Sequence, residues 1–224
     1  MTRKRKPEAD PKVYATLSKE AYKDNNDVQD RDGFILDREL SDRETKVFVN
    51  ENTRTVVLSF RGTKEAKDIG SDVAIATGYE DYNPRFKGSL KKFDEVYAKY
   101  GNSYTYDTTG HSLGGQLATY VDRNRDNVHE NLSFSRGSGV GELFRSRPEN
   151  TYDYSNSKDI VAFGSRMNTD SSVPAKLFHL VTATPGQLLL EGIYNNFVSK
   201  PGSAVRNDLN FNPLKAHEIN LDWL

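Results

Sequence analysis

The chain contains no cysteine. It can build no disulfide framework and no thiolate nucleophile, and this absence favours a reducing compartment. No stretch approaches the roughly 20 apolar residues of a membrane-spanning helix. The opening MTRKRKPEADPK lacks the apolar core of a secretory signal. The expectation is a soluble, cytoplasmic protein not exported by the usual route, or a virion-associated one if its source is viral. Charge of one sign is also lacking: 31 Lys and Arg face 32 Asp and Glu, for a net charge of -1. Nucleic acid is therefore not expected as a partner, because phosphate neutralisation needs a clustered basic surplus. The basic cluster Arg3-Lys4-Arg5-Lys6 reads as a solvated tail. Histidine is scarce as well, at four residues, so any imidazole chemistry has few places to be.

What is abundant is aromatic surface. With 12 Tyr and 11 Phe, the 224 residues can bury a sizeable core although only 35% are hydrophobic. The expected organisation is a flexible tail over 1–11 and a single domain over 12–224. Residues 12–23 have helical apolar spacing at Val13, Leu17 and Tyr22. Residues 46–50 (KVFVN) and 55–60 (TVVLSF) read as strands of a hairpin, the second apolar enough to be covered on both faces. Residues 89–100 form an amphipathic helix closed by Gly101. Residues 104–109 are a strand candidate, 113–123 a helix, and 131–135, 151–155 and 178–183 further strands. Strands alternating with helices imply an α/β protein with a mostly parallel sheet.

One segment carries chemistry. Gly110-His111-Ser112-Leu113-Gly114-Gly115 fits G-x-S-x-G, with a strand before it and a helix after it. Such a turn projects a serine hydroxyl from the top of a sheet, and small residues two before and two after it relieve backbone clashes. The following helix N-terminus directs amide N–H groups at the oxyanion formed on attack.

Together with Val56 to Thr63 (VVLSFRGT), this segment resembles the fungal-type (class 3) lipases, which pair a strand ending in F-R-G-[ST] with a GHSLGG elbow. Phe86-Lys87-Gly88-Ser89-Leu90 resembles the family's lead into the helix before the nucleophile strand. The resemblance covers roughly 47–123 well and the remainder loosely. It implies an α/β-hydrolase fold, a central mostly parallel sheet flanked by helices, with Ser112 as nucleophile. It also implies an oxyanion hole made by the backbone N–H groups of Thr63 and Leu113. The substrate class implied is a lipid ester, met at a membrane or lipid surface, and no metal or organic cofactor is needed. Two departures stand out. The family's aromatic-Gly-x-Pro strand end is replaced by Ser133 to Gly141 (SFSRGSGVG), read as a flexible loop, and its Trp after the oxyanion motif by Asp68-Ile69-Gly70-Ser71-Asp72. A small polar lid over 64–78 favours phospholipids or short soluble esters over triglyceride droplets.

A serine nucleophile needs an imidazole to take its proton and a carboxylate to orient that imidazole. His111, inside the elbow, reads as structural, and His129, in a polar segment, as a surface residue. That leaves His217, near the C-terminus where the family's His falls, and His179, inside an apolar strand pattern. The chain order in α/β hydrolases is Ser, acid, His. Asp159, in Lys158-Asp159-Ile160-Val161, resembles the family's acid segment, with Asp153 and Asp170 as alternatives. The expected triad is Ser112, Asp159 and His217; the alternative is a hydrolase-like binding or structural protein without a working triad.

Overall fold

A computed structural model describes residues 6–63, 83–136 and 148–155, together with Ile219. Helix α1 (Pro11–Glu20) opens the fold; Asp10 caps it by accepting from the Lys12 N–H at 2.8 Å, and proline fills its first turn. Strands β1 (Ile35–Leu36), β2 (Thr45–Asn50) and β3 (Thr55–Phe60) follow. Helix α2 (Pro84–Tyr100), a 3-10 turn (Gly101–Ser103), β4 (Thr105–His111), α3 (Leu113–Asn124), β5 (Val128–Phe134) and β6 (Thr151–Tyr154) complete the described elements. Helix α2 starts five residues before the expected Ser89, because the Asn83 side chain caps the Arg85 N–H at 2.9 Å and Pro84 occupies the first turn.

The six strands form one sheet in chain order. β1, β2 and β3 pair antiparallel, whereas β3, β4, β5 and β6 run parallel. This is the expected α/β class, a mostly parallel sheet flanked by helices. β3 shows why its sequence is nearly all apolar. Val56, Leu58 and Phe60 pack with Phe86, Phe93, Leu117 and Val121 from α2 and α3. Val57 packs with Tyr14, Leu17 and Phe48 on the α1 side. Alternate residues thus serve two buried faces. The two helices of the first face meet through Phe86 and Tyr120, edge to face at 5.2 Å between centroids.

Central strand β4 is different: Asp107, Thr108 and Thr109 are all buried there. Buried polar groups must be paired: the Thr108 hydroxyl donates to the Ala118 carbonyl of α3 at 3.4 Å, and α1 supplies partners in series for the others. The Tyr14 hydroxyl donates to the Asp107 carboxylate. Ser18 Oγ lies 2.8 Å from Thr109 Oγ1. The Thr109 hydroxyl donates to the Leu132 carbonyl at 2.7 Å, so Ser18 is the donor of that pair. In the turn after α1, the Tyr22 hydroxyl lies 3.0 Å from His111 Nδ1. The spacing is a geometric match: four helical residues rise about 6 Å, and two strand residues span about 6.6 Å.

The amino end of this row continues into β5. The second Asp107 oxygen accepts from the Glu130 N–H at 3.0 Å and lies 3.3 Å from His129 Nδ1. Glu130 in turn accepts from the N–H groups of Glu8 and Ala9, at 2.9 and 3.0 Å, tying the start of the chain to the sheet. His129 therefore stands on strand β5 rather than in a polar loop, half-exposed but engaged. Hydrogen bonding to Asp107, chiefly, raises its pKa above the usual 6.5.

Removing the Tyr14 hydroxyl leaves a buried carboxylate short of a donor. Tyr14→Phe should lower stability by about 2 kcal/mol, read from urea unfolding; an unchanged midpoint would deny the row its structural part. The His129 contribution has a definite sign. A histidine whose pKa rises on folding stabilises fully below its ordinary value and loses that benefit as pH climbs through the raised one. The stability lead of wild type over His129→Gln should therefore be larger at about pH 5.5 than at about pH 8.5. Equal leads at both pH values would refute the pairing.

Candidate active site

β4 runs past the expected Thr109 to His111, because Gly110 and His111 continue pairing with Ser133 and Phe134 of β5. The chain then turns at Ser112, with φ 57° and ψ -125°, and enters α3 at Leu113. A serine at positive φ is strained. It is held there because its N–H donates to the Phe134 carbonyl at 3.0 Å and its carbonyl accepts from Gly115 at 3.0 Å. The side chain does not cap the helix that it precedes. It is fully buried, and Oγ has no hydrogen-bond partner among the described residues. Ser135, with φ 45° beyond β5, and the Gln116 amide, one turn into α3, are likewise buried without partners for their side-chain polar atoms among the described residues. Unsatisfied polar groups thus gather at the carboxyl ends of two parallel strands, where open α/β sheets bind their ligands.

The glycines explain how this turn is reached. A Cβ on Gly110 would stand 2.4 Å from the Gly114 carbonyl, and one on Gly114 would stand 2.0 Å from the Phe60 carbonyl oxygen. The first turn of α3 thus lies directly on β4 and on the end of β3. A Cβ on Gly62 would stand 2.6 Å from the His111 carbonyl oxygen and 3.4 Å from the Gly114 N. Arg61-Gly62-Thr63 therefore runs against the turn that carries Ser112. That segment is held from behind: the Arg85 guanidinium of α2 donates to the Arg61 carbonyl at 2.6 Å, and the Arg61 N–H donates to the Glu44 carbonyl at 2.9 Å.

His111 is nearly buried, its ring meeting Tyr22 edge-on at 6.0 Å, in keeping with a structural part. Burial pushes the Tyr22 hydroxyl up to about 12, with the Gly62 N–H, Arg61 and Arg85 limiting the rise. On the other side of the elbow, Arg136 is buried, and its guanidinium donates to both Asp153 oxygens, at 2.9 and 3.0 Å. The segment read as a flexible loop from Ser133 thus begins as the ordered end of β5, with Arg136 fixed beneath it. Asp153 is committed to this ion pair.

The structure brings the segments of Thr63, Ser112 and Leu113 together. Asp159 and His217 lie outside the described residues, as do Asp170 and His179. Sequence reasoning missed Tyr22 and Arg136 as neighbours of the elbow. Tyr22 had a signal, the four-residue spacing of Tyr14, Ser18 and Tyr22. Among the described residues, no group of three or more His, Asp or Glu is placed to hold a metal ion. No described helix is long and apolar enough to cross a membrane.

No family model matches the chain. An uncharacterized protein of Rickettsia prowazekii (strain Madrid E) is 33% identical over 94 residues, which is 38% of this chain and 25% of that protein. The chain thus spans about a quarter of the length of that relative. Among solved structures, the Lip2 lipase of Yarrowia lipolytica aligns with a TM-score of 0.47 at 17% identity, covering 67% of this chain and 71% of its own. A triacylglycerol lipase of Penicillium expansum aligns with a TM-score of 0.38 at 18% identity, covering 65% and 79%. The α/β fold class stands on the sheet itself.

Proposed function

We propose that the protein is a serine carboxylic-ester hydrolase that acts on lipid esters through an acyl-enzyme. The observation that carries this reading is Ser112. It is a strained residue between a parallel strand and a helix N-terminus, with a buried hydroxyl that no described group engages. Strain and an unsatisfied hydroxyl in one residue are costly, and they make sense where the hydroxyl reacts.

In this reading, Ser112 Oγ attacks the ester carbonyl carbon while His217 takes its proton. The oxyanion accepts hydrogen bonds from the backbone N–H groups of Thr63 and Leu113, and the α3 N-terminus adds its partial positive charge. Collapse of the tetrahedral intermediate breaks the bond to the alcohol, which leaves with the proton from His217. Water then attacks the acyl-serine with His217 as base, releasing the carboxylic acid and restoring Ser112. Asp159 orients the imidazole and stabilises its charged form. Two features support the assignment of these partners: Gly62, just before Thr63, packs against the elbow, and Arg136 occupies Asp153, the nearer alternative acid. The polar segment 64–78, with Asp68 and Asp72 near the absent Trp, supports phospholipids or short soluble esters as substrates.

Labelling with a fluorophosphonate tests the reading. The intact protein should label stoichiometrically, and Ser112→Ala should abolish both labelling and hydrolysis of p-nitrophenyl esters. His217→Ala should slow both by roughly 10⁴-fold or more, and Asp159→Asn by about 10³ to 10⁴-fold. Label retained in Ser112→Ala would place the nucleophile elsewhere, and loss in His179→Ala but not His217→Ala would move the base. A folded wild-type protein that neither labels nor hydrolyses any ester would be a binding protein on a hydrolase fold.

A further inference from the structure

The row of contacts between α1 and β4 ends at the proposed site, and its last member touches both halves of it. The Tyr22 hydroxyl lies 3.0 Å from Nδ1 of His111, the residue before Ser112. The same oxygen accepts from the backbone N–H of Gly62, the residue before Thr63. Contact on the Gly62 side is so close that a Cβ there would stand 2.4 Å from the Tyr22 hydroxyl oxygen. A single oxygen therefore joins the loop that would stabilise the oxyanion to the strand that presents the nucleophile.

We infer that Tyr22 is a positioning residue for the serine chemistry, its hydroxyl setting the distance between the Thr63 loop and Ser112. The inference rests on the reading of Ser112 as nucleophile. A phenol has one proton to give. Its oxygen stands 3.0 Å from His111 Nδ1 and 3.5 Å from the His111 carbonyl oxygen, so the link reaches the residue before Ser112 whichever of the two takes the proton. Burial, which raises the Tyr22 pKa to about 12, keeps the phenol protonated throughout the neutral range and the link intact. Hydrogen-bond donors stabilise an oxyanion only when they stand at its position beforehand, and a displacement of about 1 Å can cost 10²-fold in rate. Thr63 and Ser112 lie on separate stretches of chain, β3 and β4, that continue beyond the last paired residues, Phe60 and Gly110. Beyond that point β3–β4 pairing no longer sets their separation; it rests on close backbone packing and on the Tyr22 hydroxyl, a side-chain contact common to both.

The test compares Tyr22→Phe with Ser18→Ala. Ser18 sits one turn earlier in the same row and contacts Thr109, away from the elbow. Tyr22→Phe should slow fluorophosphonate labelling of Ser112 by about 10-fold or more and lower kcat on p-nitrophenyl butyrate to match, with KM changed less than about two-fold. Ser18→Ala should label at the wild-type rate even with a comparable fall in Tm. Wild-type labelling by Tyr22→Phe, or equal slowing by Ser18→Ala, would overturn the inference and leave the serine-hydrolase reading intact. Failure of the wild-type protein to label at all would overturn both. Should Tyr22→Phe not fold, the Tyr22 hydroxyl proton in the wild type decides: a slowly exchanging resonance with a nuclear Overhauser contact to the His111 ring is expected, and a hydroxyl in fast exchange with water would overturn the link.

Discussion

The register between α1 and β4 is the constraint on which the rest of this structure depends. A strand at the centre of a parallel sheet is covered on both faces, and such strands are ordinarily apolar. Here the central strand places Asp107, Thr109 and His111 on the α1 side. Each would be a net cost if α1 were displaced along its axis by half a turn, because every polar group would lose its partner together. Apolar packing tolerates small slips; a row of directional hydrogen bonds does not. The helix is thereby locked to the strand that delivers Ser112, and Ser59 Oγ, donating to the Leu17 carbonyl at 3.0 Å, locks β3 to the same helix. Specific placement is what a buried polar row can add beyond the stability that hydrophobic packing supplies.

Strain at Ser112 is tolerable only because its surroundings allow no other path. Gly110 and Gly114 bring α3 onto β4 and β3 at distances that no side chain could share. Its backbone N–H and carbonyl are both satisfied, by Phe134 and Gly115. The turn is thus overdetermined by its backbone while its side chain is left without a partner among the described residues. A local rule is broken at one atom, and the neighbouring rules are all obeyed. That distribution is characteristic of sites kept for chemistry.

Much of this could be read from the chain. β3 declares itself by an unbroken apolar run, α2 by its apolar face ending at Gly101, and the elbow by the spacing of its glycines. Boundaries were harder, because they depend on partners distant in sequence. β4 reaches His111 since β5 is there to pair with it, and β5 begins at Val128 since Tyr106 is there to receive it. The two-residue strand β1 exists only as an edge against β2, with Ile35 exposed, and has no periodicity to detect. Tyr22 and Arg136 were missed for a related reason. A tyrosine on an apolar helical face reads as core and an arginine in a glycine-rich run as surface, and only the fold brings one to His111 and buries the other against Asp153.

The Arg136–Asp153 pair shows how the departure from an aromatic-Gly-x-Pro strand end is accommodated. Arg136 emerges from the end of β5 beside the elbow helix, its Cβ 3.3 Å from where a Gly115 Cβ would lie. A buried guanidinium at that point would be prohibitive alone, since removing one partner from a buried ion pair costs about 3–5 kcal/mol. Asp153 supplies both acceptor oxygens from β6, so the pair joins the ends of two strands whose backbones already meet where the Ser135 N–H donates to the Tyr154 carbonyl at 2.7 Å. This ties Arg136, just past the end of β5, to β6. It also removes Asp153 as a free carboxylate, because a group engaged in a bidentate bond to arginine has little capacity left to orient an imidazole. In the proposed reading the acid for Ser112 then comes from farther along the chain than β6, in keeping with the order serine, acid, histidine.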